Sequence, residues 1–149
     1  MTTSKLDPNK SALALDVGEK RIGVAVANLG VRFAAPLTTL DDPKTFLEDI
    51  AHLCRTEDAG LLVLGLPRGM QGQETAQTER VQQFGKALGD YLGDAGLQLP
   101  LYWIDEALTS QKAEDELQGR GKHPHFNKGD VDALAATYIL EDFLREFHG

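Results

Sequence analysis

Residues 11–28, SALALDVGEKRIGVAVAN, hold two short β-type runs around a tight turn. The first, SALALDV at 11–17, is apolar and bounded by Gly18, as a buried strand should be. The second, KRIGVAVAN at 20–28, alternates and carries β-branched side chains, so the chain turns at Val17-Gly18-Glu19 and runs back. A third strand follows at 31–39, VRFAAPLTT, where Pro36 implies a sheet edge or a bulge. Three strands joined by short turns make an antiparallel meander.

Beyond residue 40 the period changes. Phe46, Leu47, Ile50, Leu53 and Cys54 fall at helical spacing, which predicts a helix over 43–57 started by Asp41 or Asp42 before Pro43. Residues 60–66, GLLVLGL, are continuously apolar, as in a strand covered on both faces. A Gly/Pro loop at 67–72 leads to a helix over 74–92 marked by Gln77, Val81, Phe84, Leu88 and Tyr91. A fifth strand is expected at 97–104, a short helix at 109–118, a loop at 119–129 and a closing helix at 130–147. The order β-β-β-α-β-α-β-α-α predicts an α/β fold. The meander and two β-α-β crossovers give a mixed five-stranded sheet with helices on both faces. The first, fourth and fifth strands run parallel, so their C-terminal ends share the edge where α/β sheets place their sites.

The 149 residues fit a single domain at 11–147 behind a polar, frayed stretch at 1–10. An apolar fraction of 42% and a charged fraction of 26% are ordinary for a soluble globular chain. No apolar run approaches the roughly 20 residues that span a bilayer, and no secretory signal is visible, so no membrane partner is expected. The lone Cys54 fits a reducing, cytoplasmic setting. A net charge of −8 excludes a basic nucleic-acid coat protein. It leaves room for an enzyme that meets nucleic acid through a local patch and metal ions.

Three carboxylates stand out. Asp16 ends the first strand on the face of Ala12 and Ala14, where a lone buried charge costs several kcal/mol unless it is paired or metal-bound. A turn aspartate supporting the hairpin is the plainer alternative. Asp132 begins the apolar stripe Ala135, Ala136, Ile139 and Phe143 of the last helix, so it faces the sheet; an aspartate serving only the helix dipole would sit on the polar face. Asp105 and Glu106 end the fifth strand at the same edge. Adjacent strand residues point to opposite faces, so only one of the pair can join Asp16 without a bend. The longer Glu106 is expected to do so, with Asp105 as support. Three such carboxylates suit Mg²⁺ or Mn²⁺, which can activate a water and stabilise a leaving oxygen in phosphodiester hydrolysis. His52, His123, His125 and His148 show no zinc spacing.

Cations supply the complement. Arg120, Lys122 and Lys128 lie in a stretch without acidic residues, and Lys20, Arg21, Arg68 and Lys112 are expected on the same edge. Together they form a rim for nucleic-acid phosphates, or a solubilising surface. The loop GLPRGMQGQET, 65–75, has glycines before a helix and could hold a phosphate on its amides, although no Walker lysine follows.

LALDVGEKRIGVAVAN, LGLPRGMQGQET, WIDEALTS and NKGDVDALAATYIL, in this order over residues 11–145, resemble the YqgF/RuvX family. Its members are ribonuclease-H-like proteins described as Holliday junction resolvases and as nucleases maturing the 5′ end of pre-16S rRNA. The resemblance implies a two-metal nuclease in ribosome biogenesis. Its carboxylates fall on Asp16, on the pair Asp105 and Glu106, and on Asp132 behind Asn127-Lys128-Gly129. Asp16 would bridge the metals, with Glu106 and Asp132 as further ligands and Asp105 and Lys128 behind them. Where the family commonly has Arg-Leu-Thr after the acidic pair, this chain has Ala107-Leu108-Thr109, so no arginine contact to phosphate comes from there. The implied substrate is RNA, or structured DNA in recombination, and the implied state is monomer or homodimer. Two rivals remain: a non-catalytic nucleic-acid-binding factor, and an ATP-binding relative of the actin-like kinases, which need a second domain that 149 residues do not supply.

Overall fold

The computed structural model describes residues 6–106 and 128–147, with the backbone alone for Glu106 and residues 128–130. The meander is β1 (Ser11–Val17), β2 (Ile22–Asn28) and β3 (Ala35–Leu40). Then come α1 (Phe46–Thr56), β4 (Ala59–Pro67), α2 (Ala76–Asp94), β5 (Leu101–Glu106) and α3 (Lys128–Glu146). The sheet order is β3-β2-β1-β4-β5. β1 pairs antiparallel with β2 and parallel with β4, and β4 pairs parallel with β5, as the crossover argument requires. The expected helix at 109–118 and most of the loop at 119–129 lie outside the described residues, as do Ala107, Lys112, Arg120 and Lys122.

The sheet has two unlike faces. Leu13, Leu15, Ile22, Val24, Leu62 and Leu64 bury against Phe46, Ile50 and Cys54 of α1 and Leu88 and Leu92 of α2. On the other face, Ala12, Ala14, Ala25 and Ala27 meet Ala136, Ile139, Leu140 and Phe143 of α3. Alanines leave little side chain between backbone and helix, so α3 sits close. Its buried stripe is the one the sequence pattern marks. Among the described residues, no helix is long and apolar enough to cross a membrane.

Several boundaries differ from the sequence reading, each for a local reason. β3 starts at Ala35 rather than 31 because residues 29–32 form a turn. There Asn28 Oδ1 accepts from the Gly30 and Val31 amides, and Arg32 takes the left-handed region at φ 63°. Pro36 does sit on an edge strand, and the β2–β3 register shifts between Val24 and Ala25 beside it. β5 starts at Leu101 rather than 97 because the preceding residues terminate α2. Gly96 has φ 84°, and the Leu97 amide reaches back to the Leu92 carbonyl at 2.8 Å. The same shift carries Asp105 and Glu106 into the paired strand, opposite Leu66 and Pro67. The last helix starts at Lys128, so Lys128 lies in its first turn rather than in a loop. Residues 6–10 are ordered: Lys10 closes a turn onto the Asp7 carbonyl and pairs with Asp58 at 2.7 Å.

Candidate active site

The β1–β2 hairpin is the foundation. The Gly18 amide donates to the Arg21 carbonyl at 2.9 Å, and a Cβ on Gly18 would stand only 2.8 Å from that oxygen. Glycine is therefore needed for the turn itself. The turn sets the register that pairs Asp16 with Gly23. Gly23 in turn is the seat of α3, since a Cβ there would lie 1.9 Å from the Asp132 carbonyl oxygen and 2.8 Å from the Ala133 nitrogen. The first turn of α3 thus rests on the β2 residue that lies beside Asp16. This contact brings together two carboxylates that are 116 positions apart in the chain, as 132 less 16 shows.

The electrostatics of the two differ. Asp16 is held at about 7, well above the ordinary 3.8, first by burial and then by the negative charge of Asp132. Among the described residues it has no cationic or hydrogen-bonding partner. Asp132 has one: Arg21 Nε donates to its Oδ2 at 2.6 Å. Arg21, expected on the phosphate rim, is thus bonded to a candidate ligand, a pair that charge alone does not reveal. The signal was the two-residue period of β2, in which residues 21, 23, 25 and 27 share one face. Ala25 and Ala27 of that series pack against α3.

The other expected residues separate. Asp105 follows Trp103, whose ring lies against Gly85 of α2, so the period places Asp105 on the α2 side of the sheet. Its carboxylate accepts from Arg68 Nε at 3.3 Å, and Arg68 also pairs with Glu74 at 3.3 Å. Arg68 is thereby engaged with two acids, away from Asp16. The 68–75 loop folds on itself. Its Gly69, Gly72 and Gln71 amides donate to Gln73 O, Gly69 O and Gln73 Oε1, so none of these three is left to cradle a phosphate. The start of α2 is closed by the reciprocal Thr75–Thr78 cap. Lys20 is exposed beside Glu19, which pairs with Arg80 at 3.4 Å. Among the described residues no cluster of three metal-ligating side chains occurs. Asp16 and Asp132 are two of the three expected, and nothing is described of the Glu106 side chain.

Comparison with known proteins agrees with this architecture. The fowlpox virus resolvase bound to Holliday junction DNA superposes with a TM-score of 0.57 over 93% of this chain and 99% of its own, at 6% identity. Thermus thermophilus RuvC with a Holliday junction substrate gives 0.54 over 91% and 93%, at 17% identity. At such identities the likeness shows the fold. A relative from Crocosphaera subtropica, named "Putative pre-16S rRNA nuclease", is 43% identical over 137 residues, covering 90% of this chain and 92% of its own. One of the same name from Chloroflexus aurantiacus is 40% identical over 134 residues, covering 89% and 84%. The model of the RuvX family, described as Holliday junction resolvase, matches residues 10–146, and with these relatives it shows that the chain belongs to the RuvX family.

Proposed function

We propose that this chain is a metal-dependent nuclease that hydrolyses phosphodiester bonds in RNA, acting in the cytoplasm at the 5′ end of pre-16S rRNA. Residues 11–147 act as one catalytic domain. The observation that carries this reading is the half-buried Asp16 carboxylate, facing Asp132 with no cation of its own among the described residues. Two crowded hard-oxygen ligands fit Mg²⁺ or Mn²⁺. Asp16 and Asp132 would hold the ion, and Glu106 would join them. Tyr102 and Ile104 pack on the α3 side of β5, and the strand period assigns position 106 to that side. A divalent ion held by these residues would supply acidification of a water and charge stabilisation at the phosphoryl group.

The chain's own residues supply the rest. The hairpin fixes Asp16, and Gly23 fixes the height of Asp132 above it. A molecule of net charge −8 repels nucleic acid at long range, so local cations must guide the strand. Lys20 at the hairpin, Lys112, Arg120 and Lys122 between β5 and α3, and Lys128 in the first turn of α3 would do so. The similarity to relatives named for pre-16S rRNA favours RNA. The family's description favours four-way DNA junctions as a second substrate, one that needs paired active sites and hence a dimer. Incubating the protein and its Asp16→Asn variant with pre-16S rRNA fragments and with four-way junctions, in Mg²⁺ and in Mn²⁺, separates the two. Cleavage of neither substrate by wild type would leave only a binding role, and equal cleavage by both proteins would remove Asp16 from the active site.

Two further outcomes test the ligand set. A metal ion at 100 times its dissociation constant should add about 2.7 kcal/mol to stability, read as a rise in melting temperature that Asp16→Asn mostly loses. Melting curves indifferent to millimolar Mn²⁺ would count against the site. The acidic pair should also divide. Glu106→Gln should abolish cleavage, whereas Asp105→Asn breaks only an exposed ion pair of up to about 1 kcal/mol and should keep activity within about fivefold. A dead Asp105→Asn beside an active Glu106→Gln would reverse the assignment.

A further inference from the structure

The one cation bonded to the candidate metal site is Arg21, among the described residues, and its placement is asymmetric. Its Nε donates to Asp132 Oδ2 at 2.6 Å. The Asp132 side chain is 21% exposed and that of Arg21 35%, so the pair lies at the rim of the site. The two terminal nitrogens of Arg21 have no partner among the described residues. Among the described residues, Arg21 therefore grips a carboxylate with one edge of its guanidinium and leaves the other edge open. That open edge matches the bidentate geometry of a phosphate.

We propose that Arg21 is a latch on the metal site: it holds Asp132 while the site is empty and releases it when a nucleic-acid phosphate offers another anion. The inference rests on the reading above that Asp16 and Asp132 hold a divalent ion. Metal ion and arginine compete. The ion and the guanidinium want the same carboxylate, and a +2 and a +1 charge a few ångströms apart repel each other. The ion binds well only when Arg21 moves off, and the phosphodiester of the substrate supplies the place to move to. Each ligand thereby strengthens the binding of the other, as linkage requires. The metal is held firmly when the strand to be cut is present.

The test titrates Mn²⁺, followed by electron paramagnetic resonance, into wild type, Arg21→Gln, Arg21→Lys and Asp16→Asn. Each is measured alone and with a short cleavage-resistant phosphorothioate oligonucleotide. Asp16→Asn gives the background that the oligonucleotide itself binds. For wild type the oligonucleotide should tighten Mn²⁺ about tenfold, within the usual range of such couplings. Arg21→Gln should bind Mn²⁺ about tenfold more tightly than wild type without any oligonucleotide, and the oligonucleotide should add nothing further. Arg21→Lys keeps the charge but lacks the planar fork, and should lie between the two. Melting temperatures show that each variant is folded.

If Arg21→Gln binds Mn²⁺ as wild type does, or more weakly, the latch is overturned. Arg21 then only steadies Asp132 or binds phosphate, while the metal site stands. If wild type binds no more Mn²⁺ than Asp16→Asn, the metal site itself falls, and the latch with it.

Discussion

Asp16→Asn is expected to abolish cleavage and, in the same molecule, to stabilise the metal-free fold. The loss of activity should be on the order of 10³-fold, the scale at which removing one fixed group that supports transition-state charge is felt. The gain in stability follows from the titration of the carboxyl. Its folded value is about 7 against an ordinary 3.8, raised by burial and by Asp132. Between those values the folded chain keeps a proton that the unfolded chain has released. Stability is therefore full below the lower value and is lost as pH rises through about 7. At roughly 1.4 kcal/mol per pH unit, and with Asp16 partly open to solvent, the loss by pH 8 is about 2 kcal/mol. Asparagine carries no such charge. Urea denaturation in EDTA at pH 5 and pH 8 checks this: the variant should gain on wild type by about 1.2 kcal/mol between the two, since roughly two-fifths of the loss is already complete by pH 5. Adding Mn²⁺ at pH 8 should restore wild type and leave the variant unmoved. A stability gap equal at both pH values would mean that Asp16 is not an unpaired buried charge.

A residue that weakens the fold when ionised and empties the site when neutralised has the profile of a ligand position rather than a structural one. The same trade explains why, among the described residues, Asp16 has no arginine while Asp132 has one. A permanent cation beside Asp16 would lower its charge cost and would also occupy the place of the ion. Arg21 instead pairs with the rim carboxylate, where the arm of a partly exposed arginine can swing away.

Much of this was legible in the sequence. The apolar run at 11–17, the alternation at 20–28 and the continuous run at 60–66 gave the strands and their directions, because burial on one face or two leaves a period that can be counted. Asp132 was legible for the same reason, as a charge on the buried stripe of α3. What was not legible depended on backbone geometry. The shift of β5 to Leu101–Glu106 came from a helix end closed by Gly96, and the late start of β3 came from the Asn28 turn. The inward-folded amides of the 68–75 loop could not be told from a phosphate cradle, since both readings use glycines in the same places. The charge of Arg21 alone points to phosphate; only the two-residue period that ties it to Gly23 points to Asp132.

Gly23→Ala should be the most damaging glycine-to-alanine change among the described residues. The added Cβ would fall 1.9 Å from the Asp132 carbonyl oxygen, 2.2 Å from its carbon and 2.8 Å from the Ala133 nitrogen. All three atoms are backbone, so no rotamer change relieves the clash, and the first turn of α3 must lift from β2. Overpacking of this kind costs about 1–3 kcal/mol, and a contact made wholly by backbone belongs at the upper end. The lift also carries the Asp132 carboxylate away from Asp16. A misplacement near 1 Å can lower a rate by about 10²-fold. Gly65→Ala is the matched control on the same sheet face: its Cβ would meet Ile139 Cδ1 at 2.4 Å, the far end of a flexible side chain that can turn aside. Gly65→Ala should lose less stability and keep near-normal cleavage. Gly23→Ala should melt lower, lose about 100-fold in cleavage, and bind Mn²⁺ more weakly even where it is fully folded. If Gly23→Ala and Gly65→Ala fall together in stability and both keep their cleavage, then the close seat of α3 on β2 is ordinary packing and does not set the spacing of the two carboxylates.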